Sequence, residues 1–143
     1  MKKFILTLIV FICILFPLTA NVSGADNIAH NSADYKKVEV ISRGKLINVI
    51  DYVVPNKYTV FMFYADWCAP CGPLKEKLSE LANRVNNMAL REINIIDFEN
   101  PLVKYYNLPA IPYFLIYGPD GNFVERGPML TKDLLNTIVS QNK

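Results

Sequence analysis

The sequence has little net charge and a single histidine. It also lacks a hydrophobic run of the length that a membrane-spanning helix needs. Its 143 residues carry 15 basic and 13 acidic side chains, and the net charge of +2 offers no basis for binding nucleic acid or another polyanion. The histidine, His30, has no second histidine and no cysteine nearby, which disfavours a metal-binding or catalytic role. A hydrophobic content of 52% excludes a disordered chain, and the length suits a single domain.

Residues 1–25 have the order of features found in secretory signal peptides. Two lysines after Met1 precede an uncharged apolar run, and small residues follow it, as in export leaders. A membrane-spanning helix needs about 20 apolar residues, whereas the stretch 4–20 is shorter and contains Pro17. We therefore expect an exported protein, periplasmic or otherwise extracytoplasmic, with a membrane anchor formed by residues 4–20 as the alternative.

A signal peptide over 1–25 accounts for the net charge and for one of the three cysteines. It contains Cys13 and two lysines, so the remainder has equal numbers of acidic and basic residues and two cysteines. Disulfides persist in the compartments that exported proteins reach. We expect a flexible lead-in over 26–37 and one folded domain over 38–143.

Strand and helix patterns alternate along the rest of the chain. Runs of β-branched and aromatic residues predict strands, and apolar residues at helical spacing predict helices. The predicted elements are a strand over 38–41, a helix over 42–54, a strand over 58–64, a helix following Cys68, a strand over 91–97, a helical turn over 101–106, a strand over 113–117, its hairpin partner over 122–126, and a last helix after Thr131. This order predicts an α/β fold, with a central mixed sheet and helices on both faces.

Two cysteines three residues apart, Cys68 and Cys71, fall where a predicted buried strand passes into a helix. Sulfurs at this spacing and place can form a disulfide without rearrangement of the backbone. Free N–H groups and the helix dipole favour a thiolate there, and the thiolate is the form that attacks a disulfide. We therefore expect Cys68 to be the nucleophile and Cys71 to resolve the mixed disulfide.

Two other interpretations of the cysteine pair stay open at this point. The pair is a candidate for half of a zinc site, but four ligands are normally needed, and beyond residue 25 the chain offers only two cysteines and the remote His30. A purely structural disulfide is the second interpretation, although so small a ring restrains the unfolded chain only weakly. We expect redox chemistry at the pair, and no metal.

Two motifs far apart in the sequence resemble those of the thioredoxin family. The sequence W-C-A-P-C at residues 67–71 resembles the family's active site, usually written W-C-G-P-C. Ala-Ile-Pro at 110–112, just before a predicted strand, resembles the family's cis-proline loop. The resemblance extends from about residue 38 to the C-terminus, and it implies a thioredoxin-like fold with dithiol–disulfide exchange at Cys68 and Cys71.

The same resemblance implies which residues bind the substrate. Pro112 would follow a cis peptide bond, a minority state among X-Pro bonds in folded proteins, and the backbone of Ile111 would then be free to pair with an extended substrate strand. Trp67 would shield the disulfide and contact the substrate, and Gly127 falls near the family's third substrate-facing loop. A simple proline at the start of a strand is the alternative interpretation of Pro112.

Two positions that form a pair in the family depart from its pattern. Thioredoxins usually bury an acid six residues before the first cysteine, where it helps to deprotonate the resolving thiol, and this sequence has Met62 there. The basic partner of that acid corresponds to Ile93, unless the strand is shifted by one residue, which would make Glu92 or Asn94 the local polar group. Burial without a base raises the pKa of a thiol, so we expect Cys71 to resolve mixed disulfides slowly at neutral pH.

The direction of exchange is inferred from the two residues between the cysteines. A strong oxidant has a stabilised thiolate, often aided by a histidine at this place, and Ala69-Pro70 supplies none. We therefore expect a monomeric reductant of protein disulfides, with no cofactor other than its own disulfide. An exported reductant implies a membrane-embedded electron donor. The alternatives are a dithiol oxidase of the same fold and a non-catalytic binding or chaperone module.

Overall fold

The computed structural model describes residues 35–142. The expected leader with Cys13, His30 and the greater part of the expected lead-in lie outside the described residues. Among the residues that are described, no helix is both long enough and apolar enough to cross a bilayer. The domain expected over 38–143 can be compared with the structure over nearly its whole length.

Within residues 35–142, five strands, three α-helices and one 3-10 helix are present. In chain order they are β1 (Val38–Arg43), the 3-10 helix (Val49–Tyr52), β2 (Tyr58–Tyr64), α1 (Cys71–Arg84), β3 (Met88–Asn94), α2 (Pro101–Tyr106), β4 (Tyr113–Tyr117), β5 (Phe123–Gly127) and α3 (Lys132–Ser140). The predicted α/β class is confirmed, and so is the order of elements apart from the first predicted helix.

The strands form one mixed sheet in the order β1-β3-β2-β4-β5. β1 and β2 both run parallel to β3, whereas β4 runs antiparallel to β2 and β5 antiparallel to β4. Every residue of β2 and of β3 is buried, as in strands that are covered on both faces. Because β2 is the central strand, the residues that follow it lie in the middle of one edge of the sheet.

The helix predicted over 42–54 is wrong, since only Val49–Tyr52 is helical, as a single 3-10 turn. β1 continues through Ser42, whose hydroxyl donates to a carbonyl three residues later at 2.5 Å. Gly44 then takes a φ of 77°, which a right-handed helix does not contain. The apolar spacing that predicted a helix belongs instead to an irregular segment that leads to the buried Val49.

β3 begins and ends three residues before the strand predicted over 91–97. The side-chain oxygen of Asn94 accepts the N–H of Ile96 at 2.8 Å, and Ile96 has a φ of 67°, outside the range of a strand. The predicted bounds of β2, α2 and β4 are confirmed, and β5 is shifted by one residue. Thr131 caps α3 as predicted, accepting the N–H of Leu134 at 3.3 Å.

Both ends of the described chain are attached to the turn between α1 and β3. The Tyr35 hydroxyl donates to the Asn86 carbonyl at 3.4 Å, and the Lys37 ammonium donates to the Val85 carbonyl at 2.9 Å. The side-chain oxygen of Asn142 accepts the N–H of Asn86 at 2.7 Å. This turn precedes the amino end of β3, so these attachments lie at the sheet edge opposite the carboxyl ends of β2 and β3.

Candidate redox site

The candidate site lies at the carboxyl end of β2, where the chain turns into α1. Cys68 and Cys71 are joined by a disulfide, and their Cα atoms are 5.3 Å apart. Cys71 is the first residue of α1 and is 1% exposed, whereas Cys68 lies in the preceding turn and is 7% exposed. The Cys71 N–H donates to the Cys68 carbonyl at 3.0 Å. The expected disulfide is therefore present, and Cys68 is the more accessible of its two residues.

The start of α1 has no side-chain cap. Its N-cap residue is Pro70, which makes no capping hydrogen bond, and no acidic residue lies in the first turn. The Cys71 N–H is bonded to the Cys68 carbonyl and Pro73 has no N–H, so the effect on the cysteines comes mainly from the positive end of the helix dipole, with no acidic residue in the first turn to oppose it. When the disulfide is reduced, this arrangement favours a thiolate over a neutral thiol.

The loop before β4 lies on one side of the cysteine turn. The Ile111–Pro112 peptide bond is cis, as the family resemblance implied, and the following residue, Tyr113, pairs with Phe63 of β2. Since Phe63 is one residue from the end of β2, this loop and the cysteine turn lie at the same edge of the sheet. Ile111 and Pro112 are both half-buried, so each keeps an accessible surface there.

Gly127 lies farther from the cysteines than the cis-proline loop does. It is the last residue of β5 and pairs with Phe114 of β4, so β4 separates it from β2. A Cβ atom added to Gly127 would come closest to the backbone of Met129, at 3.6 Å, an ordinary contact distance. The structure therefore places Gly127 at the edge of the sheet and gives no steric reason for a glycine.

The loop after β3 lies on the other side of the cysteine turn and was not predicted. The indole N–H of Trp67 donates to the Ile96 carbonyl at 2.6 Å, and its ring centroid is 5.6 Å from that of Phe98. Trp67, Ile96 and Phe98 are 56%, 46% and 48% exposed, and we call these three residues the apolar flank. The sequence does not predict the conformation of this loop, because a β-branched residue such as Ile96 rarely takes a positive φ.

Arg126 of β5 is a further residue that no motif predicted. Its guanidinium donates to the Tyr106 and Asn107 carbonyls at the end of α2, at 2.6 and 3.1 Å. It also donates to the Tyr113 hydroxyl at 3.1 Å and lies 5.2 Å from the centroid of that ring. Arg126 therefore ties the end of α2 to the residue that follows Pro112.

The residue that lies opposite Met62 in the sheet is not the one that was expected. Met62 is fully buried in β2, and its partner in the register of β2 and β3 is Glu92. Successive residues of a strand face opposite sides of the sheet, so the assignment of Ile93 as the partner position is wrong. Glu92 is 3% exposed, and its Oε2 lies 3.4 Å from Nζ of Lys75 in α1.

Comparisons with known proteins agree with this site. The family model described as Thioredoxin matches residues 38–140. The chain is 32% identical over 81 residues to a thioredoxin of Chlamydia caviae, a match that covers 56% of this chain and 78% of that protein. It is 35% identical over 71 residues to Thioredoxin-T of Drosophila melanogaster, but there the match covers 49% of this chain and only 44% of the relative.

A solved structure of a thioredoxin is also similar to this chain. The chain is similar to a mutant thioredoxin from Halobacterium salinarum, with a TM-score of 0.53 and 25% identity, over 73% of this chain and 92% of that one. The match to the family model covers most of this chain, and a disulfide joins the cysteines of the motif. The chain therefore belongs to the thioredoxin family of thiol–disulfide oxidoreductases, with Cys68 and Cys71 as its redox-active pair.

Proposed function

We propose that the protein is an exported reductant of protein disulfides, in which Cys68 attacks the substrate and Cys71 resolves the mixed disulfide. The observation that carries this proposal is the Cys68–Cys71 disulfide at the uncapped start of α1. The attacking sulfur must be accessible to a second protein, and Cys68 is the more exposed residue of the pair. Cys71 has to reach only Cys68, which its burial permits.

The reducing direction is supported by the residues between the cysteines. A strong oxidant stabilises its reduced form, and therefore its thiolate. Ala69 and Pro70 bring neither a charge nor a side-chain hydrogen-bond donor to Cys68, so the start of α1 acts on the thiolate alone. A dithiol with a less stabilised thiolate is the better electron donor. The alternative is a dithiol oxidase, in which other groups stabilise the Cys68 thiolate.

Export and an electron donor in the membrane complete the proposal. Residues 1–25 have the order of an export leader, and a reductant outside the cytoplasm has no direct access to the cytosolic thiol pool. Each cycle consumes two electrons, so we propose a membrane-embedded donor that presents a dithiol to the monomeric protein. Recovery of the protein only from the cytosolic fraction of its own cells would contradict export.

Substrate strands would bind on the cis-proline side of the cysteine turn. An extended segment of the substrate can pair with an exposed backbone, and Ile111 and Pro112 lie half-buried at the same sheet edge as the cysteines. We assign the main chain of Ile111 to this pairing. Trp67 would contact the substrate from the opposite side, and Gly127 would lie at the outer limit of the site.

Insulin reduction tests the activity. We expect the wild-type protein to reduce insulin, Cys68→Ser to be inactive, and Cys71→Ser to accumulate a mixed disulfide that is visible on a non-reducing gel. A non-catalytic binding or chaperone module would give the same result for the wild type and for Cys68→Ser.

The equilibrium of the Cys68–Cys71 couple with glutathione or dithiothreitol tests the direction. A potential near that of thioredoxin, about −270 mV, is the expected result for a reductant. A potential near about −120 mV, typical of a strong periplasmic oxidant, would contradict the proposed direction and favour the dithiol oxidase.

A further inference from the structure

An ion pair whose carboxylate is buried lies between α1 and the sheet. Glu92 is 3% exposed, and its carboxylate is 3.4 Å from the ammonium group of Lys75. The Lys75 side chain is 35% exposed and keeps its contact with solvent, whereas burial of the Glu92 carboxylate costs free energy that its partner has to offset. The burial of this carboxylate beside α1 therefore calls for a chemical explanation.

The ion pair lies on the side of the sheet that faces Cys71. Glu92 is directly opposite Met62 in the register of β2 and β3, so the two side chains lie on the same face of the sheet. Lys75 follows Cys71 by one turn of α1, and residues four apart in a helix share a face. Lys75 also lies 4.7 Å from the centroid of the Tyr64 ring at the end of β2.

The other groups on this face are few in the part of the chain that the structure describes. Strand alternation and the registers place one ionisable neighbour from β2, Tyr64, beside Glu92, and apolar residues from the other elements. These apolar residues are Val40 of β1 and Phe114 of β4. Within β3 itself, the polar Asn94, which is 1% exposed, lies two residues from Glu92 and therefore on the same face. The charged neighbour in β3, Arg91, is on the opposite face, where its Nε lies 4.0 Å from Glu39.

We propose that Glu92 accepts the proton of the Cys71 thiol when Cys71 resolves a mixed disulfide, and that Lys75 positions the Glu92 carboxylate for this step. The inference rests on the proposed exchange reaction and adds a proton acceptor to it. Met62 supplies no acid at its position, and Glu92 supplies one on the adjacent strand. Slow resolution by Cys71 was expected because Met62 and Ile93 are both apolar. The buried carboxylate of Glu92 removes the reason for that expectation.

The step balances in protons and electrons. Cys68 is bonded to a substrate sulfur in the mixed disulfide, and the Cys71 thiol transfers its proton to the Glu92 carboxylate. The Cys71 thiolate attacks the sulfur of Cys68, the Cys68–Cys71 bond forms, and the bond from Cys68 to the substrate breaks. The electron pair of that bond leaves with the substrate sulfur as a thiolate, and Glu92 returns its proton to the solvent or to that thiolate.

Single-turnover kinetics of the reduced protein with a peptide disulfide test the proposal. The chain has one tryptophan, Trp67, and its fluorescence can report the oxidation of the neighbouring cysteines. Formation of the mixed disulfide depends on peptide concentration, whereas resolution does not. We expect Glu92→Gln to slow resolution about 10- to 100-fold at neutral pH, to leave the concentration-dependent phase unchanged, and to lose this defect at alkaline pH, where Cys71 ionises unaided.

Three further variants separate proton transfer from a structural effect. Glu80→Gln removes an exposed carboxylate of α1 and should leave both phases unchanged. Met62→Asp in the Glu92→Gln background should restore resolution at neutral pH, because it returns an acid to the adjacent strand. If Glu92→Gln does not fold, Met62→Asp alone decides: an acceleration of tenfold or more, about the size of general-base effects, would show that no acid serves Cys71 in the wild type.

Resolution that is equally fast in Glu92→Gln and in the wild type would overturn the proposal, as would a defect of the same size at every pH. Neither result would affect the proposed function, which fails only if the wild-type protein reduces no disulfide or if Cys68→Ser retains activity. Lys75→Met keeps the acid but removes the residue that positions it, and it should reduce the rate of resolution less than Glu92→Gln does.

Discussion

Among single residues, Tyr106 joins α2 to the segment in which a helix was predicted. Its hydroxyl donates to the Ile47 carbonyl at 2.6 Å and accepts the Val49 N–H at 3.0 Å. One side chain thus pairs two backbone groups of a segment that has a single helical turn of its own. Buried backbone groups without a partner cost free energy, so Tyr106 replaces hydrogen bonds that a longer helix would make.

We expect Tyr106→Phe to lower the free energy of unfolding by about 1–3 kcal/mol, because the carbonyl of Ile47 and the N–H of Val49 lose their partner. Urea denaturation of the two proteins measures the difference. Tyr105→Phe is the matched control, since this neighbouring tyrosine is 59% exposed, and its effect should stay within about 0.5 kcal/mol. Equal effects of the two substitutions would show that the hydrogen bonds of Tyr106 contribute nothing.

The same hydroxyl makes stability depend on alkaline pH. Burial raises the pKa of Tyr106 in the folded protein, so the unfolded chain loses this proton first as the pH rises past about 10. The unfolded state then binds fewer protons than the folded state, and the free energy of unfolding falls with pH. Denaturation at a series of pH values should show a smaller alkaline loss in Tyr106→Phe. Burial also raises the pKa of Tyr35, which contributes alike to both proteins.

Among the structural elements, the loop after β3 is the one whose conformation is costly. Ile96 has a φ of 67°, which strains a β-branched residue. Two hydrogen bonds hold it, one from its N–H to the Asn94 side chain and one from Trp67 to its carbonyl. Gly44 leaves room for it, since a Cβ there would lie 2.8 Å from Cγ1 of Ile96. This support keeps the apolar flank beside the cysteines.

We expect Phe98→Ser to raise KM for a protein disulfide about threefold to tenfold, because a substrate that covers the apolar flank would bury less apolar surface. Turnover of a small aromatic disulfide should not change. Steady-state kinetics with both substrates measure the difference. Phe123→Ser removes a similarly exposed ring, 53%, from the start of β5, and it should affect neither substrate. A matching rise in KM for this control would exclude a specific role of the flank.

The elements that were predicted correctly have signals within their own segments. β2 is an unbroken run of β-branched and aromatic residues, and Thr131 precedes the apolar face of α3. The features that were missed depend on contacts between distant segments. Gly44 makes room for a loop more than 50 residues later in the chain, and Arg126 joins α2 to β4. Such contacts leave no periodicity in the sequence, so composition and spacing do not predict them.

For the whole molecule, the disulfide links folding to electron transfer. Reduction and unfolding can occur in either order and must give the same total free energy. The free energy of unfolding therefore differs between the oxidised and reduced forms by the change in reduction potential on folding, converted to free energy. A good reductant has a folded disulfide that is harder to reduce than the same disulfide in the unfolded chain. Its oxidised form is therefore the more stable one, and a strong oxidant shows the reverse.

We expect the oxidised protein to be more stable than the reduced protein, by about 1.4 kcal/mol for each 30 mV by which folding lowers the potential. Guanidinium denaturation with and without a reductant measures this difference. A double variant with Cys68→Ser and Cys71→Ser should unfold at the same concentration under both conditions. A reduced form more stable than the oxidised form would contradict the reducing direction and support the dithiol oxidase.

The attachment of both chain ends to the turn before β3 has a practical consequence. Tyr35, Lys37 and Asn142 all bind this turn, and the length of β3 separates it from the cysteines by about 20 Å. An electrode, a bead or a fluorescent label linked beside Tyr35 or Asn142 therefore holds the described domain by the side away from Cys68. Immobilised in this way, the domain presents its reactive sulfur to the solution, so attachment at these two positions is compatible with turnover.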